Sequence, residues 1–389
     1  MSQLFMFEKP LGMRDTLPNL YETKQHVRSM LESEMKAWGY QFIATPTLEY
    51  YETVGTASAI LDQQLFKLLD QQGHTLVLRP DMTAPIARVA ASKLLNEDFP
   101  IRLAYAENLY RAQQHEGGRP AEFEQVGVEC IGDETVSADG EMIALAISAL
   151  KKAGLTDFQL SVGHIDFVKE LFIQILGTVE RARELTQFLY EKNYVGYREH
   201  VKSLPLSSID TQRLLSFLDL RGGVEVIGKA LDLIENEKGK KAILQLQELC
   251  EIVKDYDVAG HIKFDLTLVS HMSYYTGILF EMYASKVGFP LGNGGRYDGL
   301  LQKFGKSMGA TGFAIRLDRL LEALGELEEK VPAECILFSP ERRIEACSLA
   351  KERRQSGMRV VLQDISGVKN LDAYTSKFSD VTYLVGRSQ

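Results

Sequence analysis

The chain predicts an α+β fold: an antiparallel sheet flanked by helices, interrupted by a helical insertion and followed by a small α/β piece. Three observations carry this. Tyr105–Gly132 reads as strand, loop, strand, the pattern of an antiparallel hairpin. Strand signals vanish from Asp166 to Tyr256, where Lys- and Glu-rich helical periodicity dominates, as in ALDLIENEKGKKAILQLQELCEIVK. They resume at Ile262–Val269, Gly277–Ala284 and Gly309–Ile315. The expected organisation is a main domain over 1–325, with its insertion at about 166–256, and a C-terminal piece over 332–389.

In chain order, KPLGMRDTLP is an irregular entry, and a helix follows. Asn19 is its expected cap, with Glu22 three residues on as in a capping box. Val27, Met30, Leu31, Glu34 and Trp38 recur at helical spacing, and Gly39 ends the run. A short strand at Tyr40–Ile43, a Thr45-Pro46 break and an extended segment come next. Thr75–Arg79 is a strand ended by Pro80, and a helix is expected over Ala84–Leu95. Asp81 and Thr83 stand at its start, where a carboxylate and a hydroxyl either cap the helix or face a ligand ammonium.

In the hairpin, the loop holds Gly117, Gly118 and Pro120. On the returning strand Val126, Val128 and Cys130 share one face; Phe123, Gln125, Gly127 and Glu129 share the other. Gln125 and Glu129 with a glycine between them offer hydrogen-bonding groups above an open floor, suited to a small amino-bearing ligand. A hairpin with one solvated face is the plainer alternative. Asp139–Ala153 is a second amphipathic helix and Phe158–Val162 a strand. GNGGRYDGL, Gly292–Leu300, reads as a glycine turn and not as a dinucleotide-binding fingerprint, because it follows no βα unit and lacks the GxGxxG spacing. A helix starts near Arg316, and GELEEKVPAE is linker-like. Cys335–Gln389 then reads β-α-β-irregular-β.

Composition narrows the function classes. Of 389 residues, 45% are hydrophobic and 25% charged, enough for a sizeable core. Four scattered cysteines form no CxxC pair, which argues against a disulfide framework or zinc site and for a reducing cytoplasm. MSQLFMFEKPLGMRD lacks a signal-peptide core, and no apolar run reaches membrane-spanning length. The net charge of −9 argues against a protein built mainly to grip a phosphate backbone. Seven histidines form neither HxxxH nor HExxH, so no metal is expected. His271 lies beside paired tyrosines and is either a pocket residue or a packed one.

The segments KPLGMRDTLP, WGYQFIATPTLEYYE, LRPDMTAPIAR, YRAQQHEGGRPAEFEQVGVECIG, YYTGILFE, GNGGRYDGL and GFAIRLDRLL stand in an order that resembles the catalytic domain of class II histidyl-tRNA synthetases, over roughly residues 8–325. The resemblance implies a class II aminoacyl-tRNA synthetase-like sheet of six or seven antiparallel strands, and a homodimer built through Trp38–Glu49. It also implies a histidine pocket: Asp81, Thr83 and Gln125 towards the α-amino group, and Glu129 and Tyr275, beside Tyr274, towards the imidazole.

The departures matter as much. Where such synthetases carry a catalytic Arg before the paired tyrosines, this chain has Ser270. Arg111 is kept, but the Glu-Arg after it is Gln113-Gln114. Arg316 replaces the Gly of Gly-Leu-Glu-Arg and is expected to crowd the nucleotide. The C-terminal piece is short for a complete anticodon-binding domain. Ser270 and Arg316 are therefore markers of lost catalysis. A histidine pocket kept while adenylation is lost resembles the regulatory-subunit family of ATP phosphoribosyltransferase. That resemblance implies a non-catalytic, cytoplasmic protein without cofactor and a homodimer within a hetero-oligomer containing the short-form catalytic subunit. It implies a role at the first step of histidine biosynthesis, with histidine as feedback effector bound at Asp81, Thr83, Arg111, Gln125, Glu129, Tyr274 and Tyr275. The alternatives are an active histidyl-tRNA synthetase and a synthetase-like tRNA-binding module.

Overall fold

The computed structural model describes residues 8–94, 99–112, 120–270, 274–325 and 333–386. Gln113, Gln114, Gly117, Gly118, His271 and most of the linker-like run lie outside them. The chain divides into two compact units, Met1–Gly325 and Glu326–Gln389.

In the first unit α1 (Pro18–Ala37) begins with proline in its first turn, where a fixed φ and a missing N–H cost nothing. Asn19 is therefore inside the helix, and no side chain caps the start. Val27, Leu31 and Met35 form the buried stripe. The strands β1 (Gln41–Phe42), β2 (Leu48–Tyr50), β3 (Lys67–Leu69) and β4 (Thr75–Leu78) precede α2 (Thr83–Lys93). Then come the hairpin strands β5 (Ile101–Tyr110) and β6 (Glu122–Ile131), α3 (Val136–Lys152) and β7 (Phe158–His164).

The expected insertion is helical. It contains α4 (Ile165–Leu176), α5 (Val179–Tyr190), α6 (Tyr194–Ser203), α7 (Ser208–Phe217), a two-residue β8 (Arg221–Gly222), α8 (Glu225–Leu231) and α9 (Glu237–Asp255). Thr178, Asn193, Ser207 and Asn236 cap α5, α6, α7 and α9 by accepting backbone N–H bonds. Phe167, Phe172, Tyr197 and Phe217 pack together inside it. The unit closes with β9 (Ile262–Asp265), β10 (Ile278–Ala284), β11 (Gly292–Arg296), β12 (Ala310–Arg316) and α10 (Leu317–Leu324).

Nine strands form one sheet in the order β1-β5-β6-β12-β11-β10-β7-β9-β8. The six from β5 to β7 in that order run antiparallel, as expected. The sheet is larger than expected and mixed, because β1 and β9 add in parallel at either side. The strands β2, β4 and β3 form a separate antiparallel sheet.

Two expectations are corrected. The first part of the expected glycine turn is the strand β11, and only 298–300 turns: a Cβ at Gly292 would sit 2.1 Å from the carbonyl oxygen of Ala314, so the glycines permit close strand approach. The hairpin has no solvated face, since β6 is buried almost throughout. Val126, Val128 and Cys130 face one core with α1 and α3, while Phe123 belongs to a second core with Tyr105, Tyr274 and Tyr297.

The second unit holds β13 (Glu334–Phe338), α11 (Arg343–Gln355), β14 (Val360–Asp364), α12 (Leu371–Thr375) and β15 (Val381–Leu384). Its sheet is parallel, ordered β14-β13-β15. The segment expected to be irregular contains α12, whose cap is the Asn370 side chain. Among the described residues no helix is long and apolar enough to cross a membrane.

Candidate functional site

Asp81, Thr83, Arg111, Gln125, Glu129, Tyr274 and Tyr275 line a single cavity over the second core, together with Tyr105, Asn293, Tyr297 and Gly312. Strand order explains the convergence. Gln125 and Glu129 share a face of β6, and β12 beside it places Gly312 opposite Glu129 and Arg316 opposite Gln125. A Cβ at Gly312 would meet Glu129 Oε2 at 1.9 Å, so glycine there makes room for the carboxylate. The floor over Gly127 is not open as expected. Tyr105 of β5 fills it, its hydroxyl 2.6 Å from where a Cβ on Gly127 would stand.

The loop before α2 is fixed by Arg79, which donates to Thr45 O at 2.7 Å, Asn108 O at 2.9 Å and Glu107 Oε2 at 2.6 Å. Asp81 Oδ1 accepts the Ala84 N–H at 2.9 Å, so it caps α2, and Ser58 Oγ donates to Oδ2. The same carboxylate also lines the cavity, so capping the helix does not turn it away from that space. Thr83 does not cap; its hydroxyl donates to Glu129 Oε1 at 2.8 Å. Tyr297 donates to Glu129 Oε2 at 2.5 Å.

Glu129 is thus fully buried and held at both oxygens. Burial, with Asp81 nearby, pushes its pKa up to about 8 despite the two donors, which pull the other way. Asn293 donates to the Tyr275 hydroxyl at 2.9 Å. Tyr274 packs edge-on against Tyr275 and Tyr297, at 5.2 and 5.8 Å between ring centroids. Arg111 donates to Pro80 O at 2.9 Å. Burial lowers its pKa, and Asp81 opposes that shift.

Sequence reasoning missed Tyr297, Asn293 and Tyr105. The first two sit in GNGGRYDGL, and reading that stretch as a turn hid their direction. Phe123 carries two guanidinium groups: Arg316 lies 3.7 Å and Arg111 5.2 Å from its ring centroid. Arg316 is held by both oxygens of Asp318, through Nε at 3.2 Å and Nη2 at 2.8 Å. A cleft of about 530 Å³ adjoins the cavity, sharing Arg111 and Asn293 with it, and Ser270 lines that cleft. Chemically, the site is a small polar chamber with two carboxylates, aromatic walls and a guanidinium at one side. It suits a compact ligand bearing an amine and a ring donor.

The fold and this chamber define a class II histidyl-tRNA-synthetase-like protein, and comparison with known proteins gives the same result. The histidyl-tRNA synthetase family matches residues 12–320, and the family described as histidyl-tRNA synthetase HisZ, C-terminal domain, matches residues 335–386. The chain is 62% identical over 386 residues to the ATP phosphoribosyltransferase regulatory subunit of Geobacillus kaustophilus (strain HTA426), covering 99% of this chain and 98% of that protein. It is 59% identical over 383 residues to the protein of the same name from Bacillus subtilis (strain 168), covering 98% of each. A crystal structure of an ATP phosphoribosyltransferase regulatory subunit/histidyl-tRNA synthetase from Bacillus halodurans superimposes with a TM-score of 0.93 at 57% identity, over 99% of this chain and 100% of that one. Histidyl-tRNA synthetase from Nostoc sp. PCC 7120 shares the fold, at a TM-score of 0.79 and 20% identity, over 95% of this chain and 88% of that one. The chain belongs to the family of ATP phosphoribosyltransferase regulatory subunits.

Proposed function

We propose that this chain is the non-catalytic regulatory subunit of an ATP phosphoribosyltransferase and senses histidine in the chamber around Glu129. In this reading it is a cytoplasmic homodimer within a hetero-oligomer that includes the short-form catalytic subunit. It serves the first step of histidine biosynthesis, and histidine bound to it inhibits that step. The histidine ammonium faces Asp81 and Gln125. The ring is read by Glu129 and Tyr275, and Arg111 takes the carboxylate contact. Beyond the bonds from Thr83 and Tyr297, the Glu129 carboxyl keeps acceptor capacity for a ring N–H.

One observation carries the reading: the amino-acid chamber is furnished while the neighbouring nucleotide chemistry is not. Position 270 is Ser, and Arg316, which stands where the resemblance has a Gly beside the nucleotide, lies over the Phe123 ring. Transfer of a nucleotidyl group needs fixed positive charge where charge develops, and losing one such group costs roughly 10²–10³ in rate.

The test has two arms. Mixed with a short-form catalytic subunit, the chain should co-purify with it, support phosphoribosyl transfer and confer inhibition by histidine. Alone, it should not catalyse histidine-dependent exchange of pyrophosphate into ATP. Exchange at a synthetase's rate, or no association with the catalytic subunit, would refute the proposal. Arg restored at 270 alone should not rescue exchange, because Arg316 still covers Phe123.

A further inference from the structure

A second pocket, of about 380 Å³, lies among β7, α4, α9 and the start of β10, and it shares no lining residue with the chamber around Glu129. At its floor is His164, the last residue of β7, which is 1% exposed. Its Nε2–H donates to Gln245 Oε1 at 3.0 Å, which leaves Nδ1 as a lone-pair acceptor. Nδ1 is buried and has no hydrogen-bond partner. That nitrogen has almost no accessible surface, so His164 closes the floor as a neutral ring and is not itself a ligand contact. Burial and the nearby Arg296 hold the ring's pKa down to about 4, so it is neutral near pH 7. Beside it, the Thr276 oxygen accepts the Asp298 N–H at 3.0 Å and keeps its own hydroxyl proton to donate.

The rim differs in character. Lys238 and Lys241 of α9 and Lys169 of α4 line it, all exposed and without an ion pair within 4.0 Å among the described residues. Each lies within the first five residues of its helix. Cations at the positive end of a helix dipole are disfavoured, and an anion between them and the helix ends offsets the cost. The fourth cation, Arg296, is already matched by Asp139, at 2.9 Å, and Asp298, at 3.3 Å. Two carboxylates remain, Asp166 and Glu170. Burial raises the pKa of Asp166, and Lys169 opposes the shift. Carboxylates flanking a neutral floor accept hydroxyl groups.

We infer that this pocket binds a sugar phosphate, with the phosphate at Lys169, Lys238 and Lys241 and the sugar hydroxyls at Thr276 and Asp166. Titration calorimetry on the full chain with ribose 5-phosphate, ribose and inorganic phosphate tests it. Ribose 5-phosphate should bind saturably with a dissociation constant below about 1 mM, at least roughly tenfold tighter than either fragment. The surface double variant Lys238→Glu, Lys241→Glu should fold and weaken that binding by at least roughly tenfold. Equal affinity for inorganic phosphate, binding that survives the charge reversal, or no saturable binding would overturn the assignment.

Discussion

Glu129 concentrates the site's physics in one carboxyl group. Its folded pKa is raised from an ordinary 4.5 to about 8. Between those values the folded chain binds more protons than the unfolded chain, so stability falls as pH rises, and the penalty is complete above about pH 8. Glu129→Gln removes the titration. The variant should therefore gain on the parent as pH goes from about 5 to 8.5, by up to a few kcal/mol. Urea unfolding across that range measures it; a difference independent of pH would contradict the buried, raised carboxyl. Gly312 gives a second residue-scale test. An alanine Cβ would meet Glu129 Oε2 at 1.9 Å and Val128 O at 2.4 Å, and the second contact is backbone that cannot swing away. Gly312→Ala should cost about 1–3 kcal/mol and weaken histidine binding by displacing Glu129. Unchanged binding by calorimetry would show that the carboxylate is not used as proposed.

Among the elements, β2 presents an outward face in the single chain. Leu48 and Tyr50 are 45% and 50% exposed, while Glu49 between them turns inward to Arg88 at 2.8 Å. We propose that the Trp38–Glu49 stretch, which runs into this strand, forms the homodimer contact. Leu48→Asp would bury an unpaired charge there and should shift the chain towards monomer in light scattering. A parent protein that is monomeric at micromolar concentration would contradict this. Local elements were the most legible part of the sequence. The helical stripe of α1, the hairpin and the helical character of the insertion follow from spacing and residue type. The start of α1 was misread because Pro18, not Asn19, sets its first turn. The strand β11 was misread because glycine signals a turn in isolation, whereas here it answers the closeness of β12, which no local pattern reveals.

For the whole molecule, the six antiparallel central strands were expected, but the parallel additions β1 and β9 and the separate β2-β4-β3 sheet were not. The pairings of β1, β9 and β2 join distant stretches of chain and leave no periodic mark, and β3, a three-residue exposed strand, is too short to show one. The seven proposed histidine contacts were legible through family resemblance and converge on one chamber, yet Tyr297, which fixes Glu129, emerged only once β11 and β12 were neighbours. Regulation belongs to this scale as well. Histidine can inhibit only if it binds the active and inhibited states of the complex with different affinity. The most direct measurement is the histidine inhibition curve of the reconstituted phosphoribosyltransferase complex, with parent chain, Gln125→Ala and Glu129→Ala. Removing a hydrogen bond to a charged group is worth roughly 1.5–3 kcal/mol, so half-inhibition should move about ten- to a hundredfold higher in histidine. Curves that coincide for all three proteins would place the sensor outside this chamber and contradict the account.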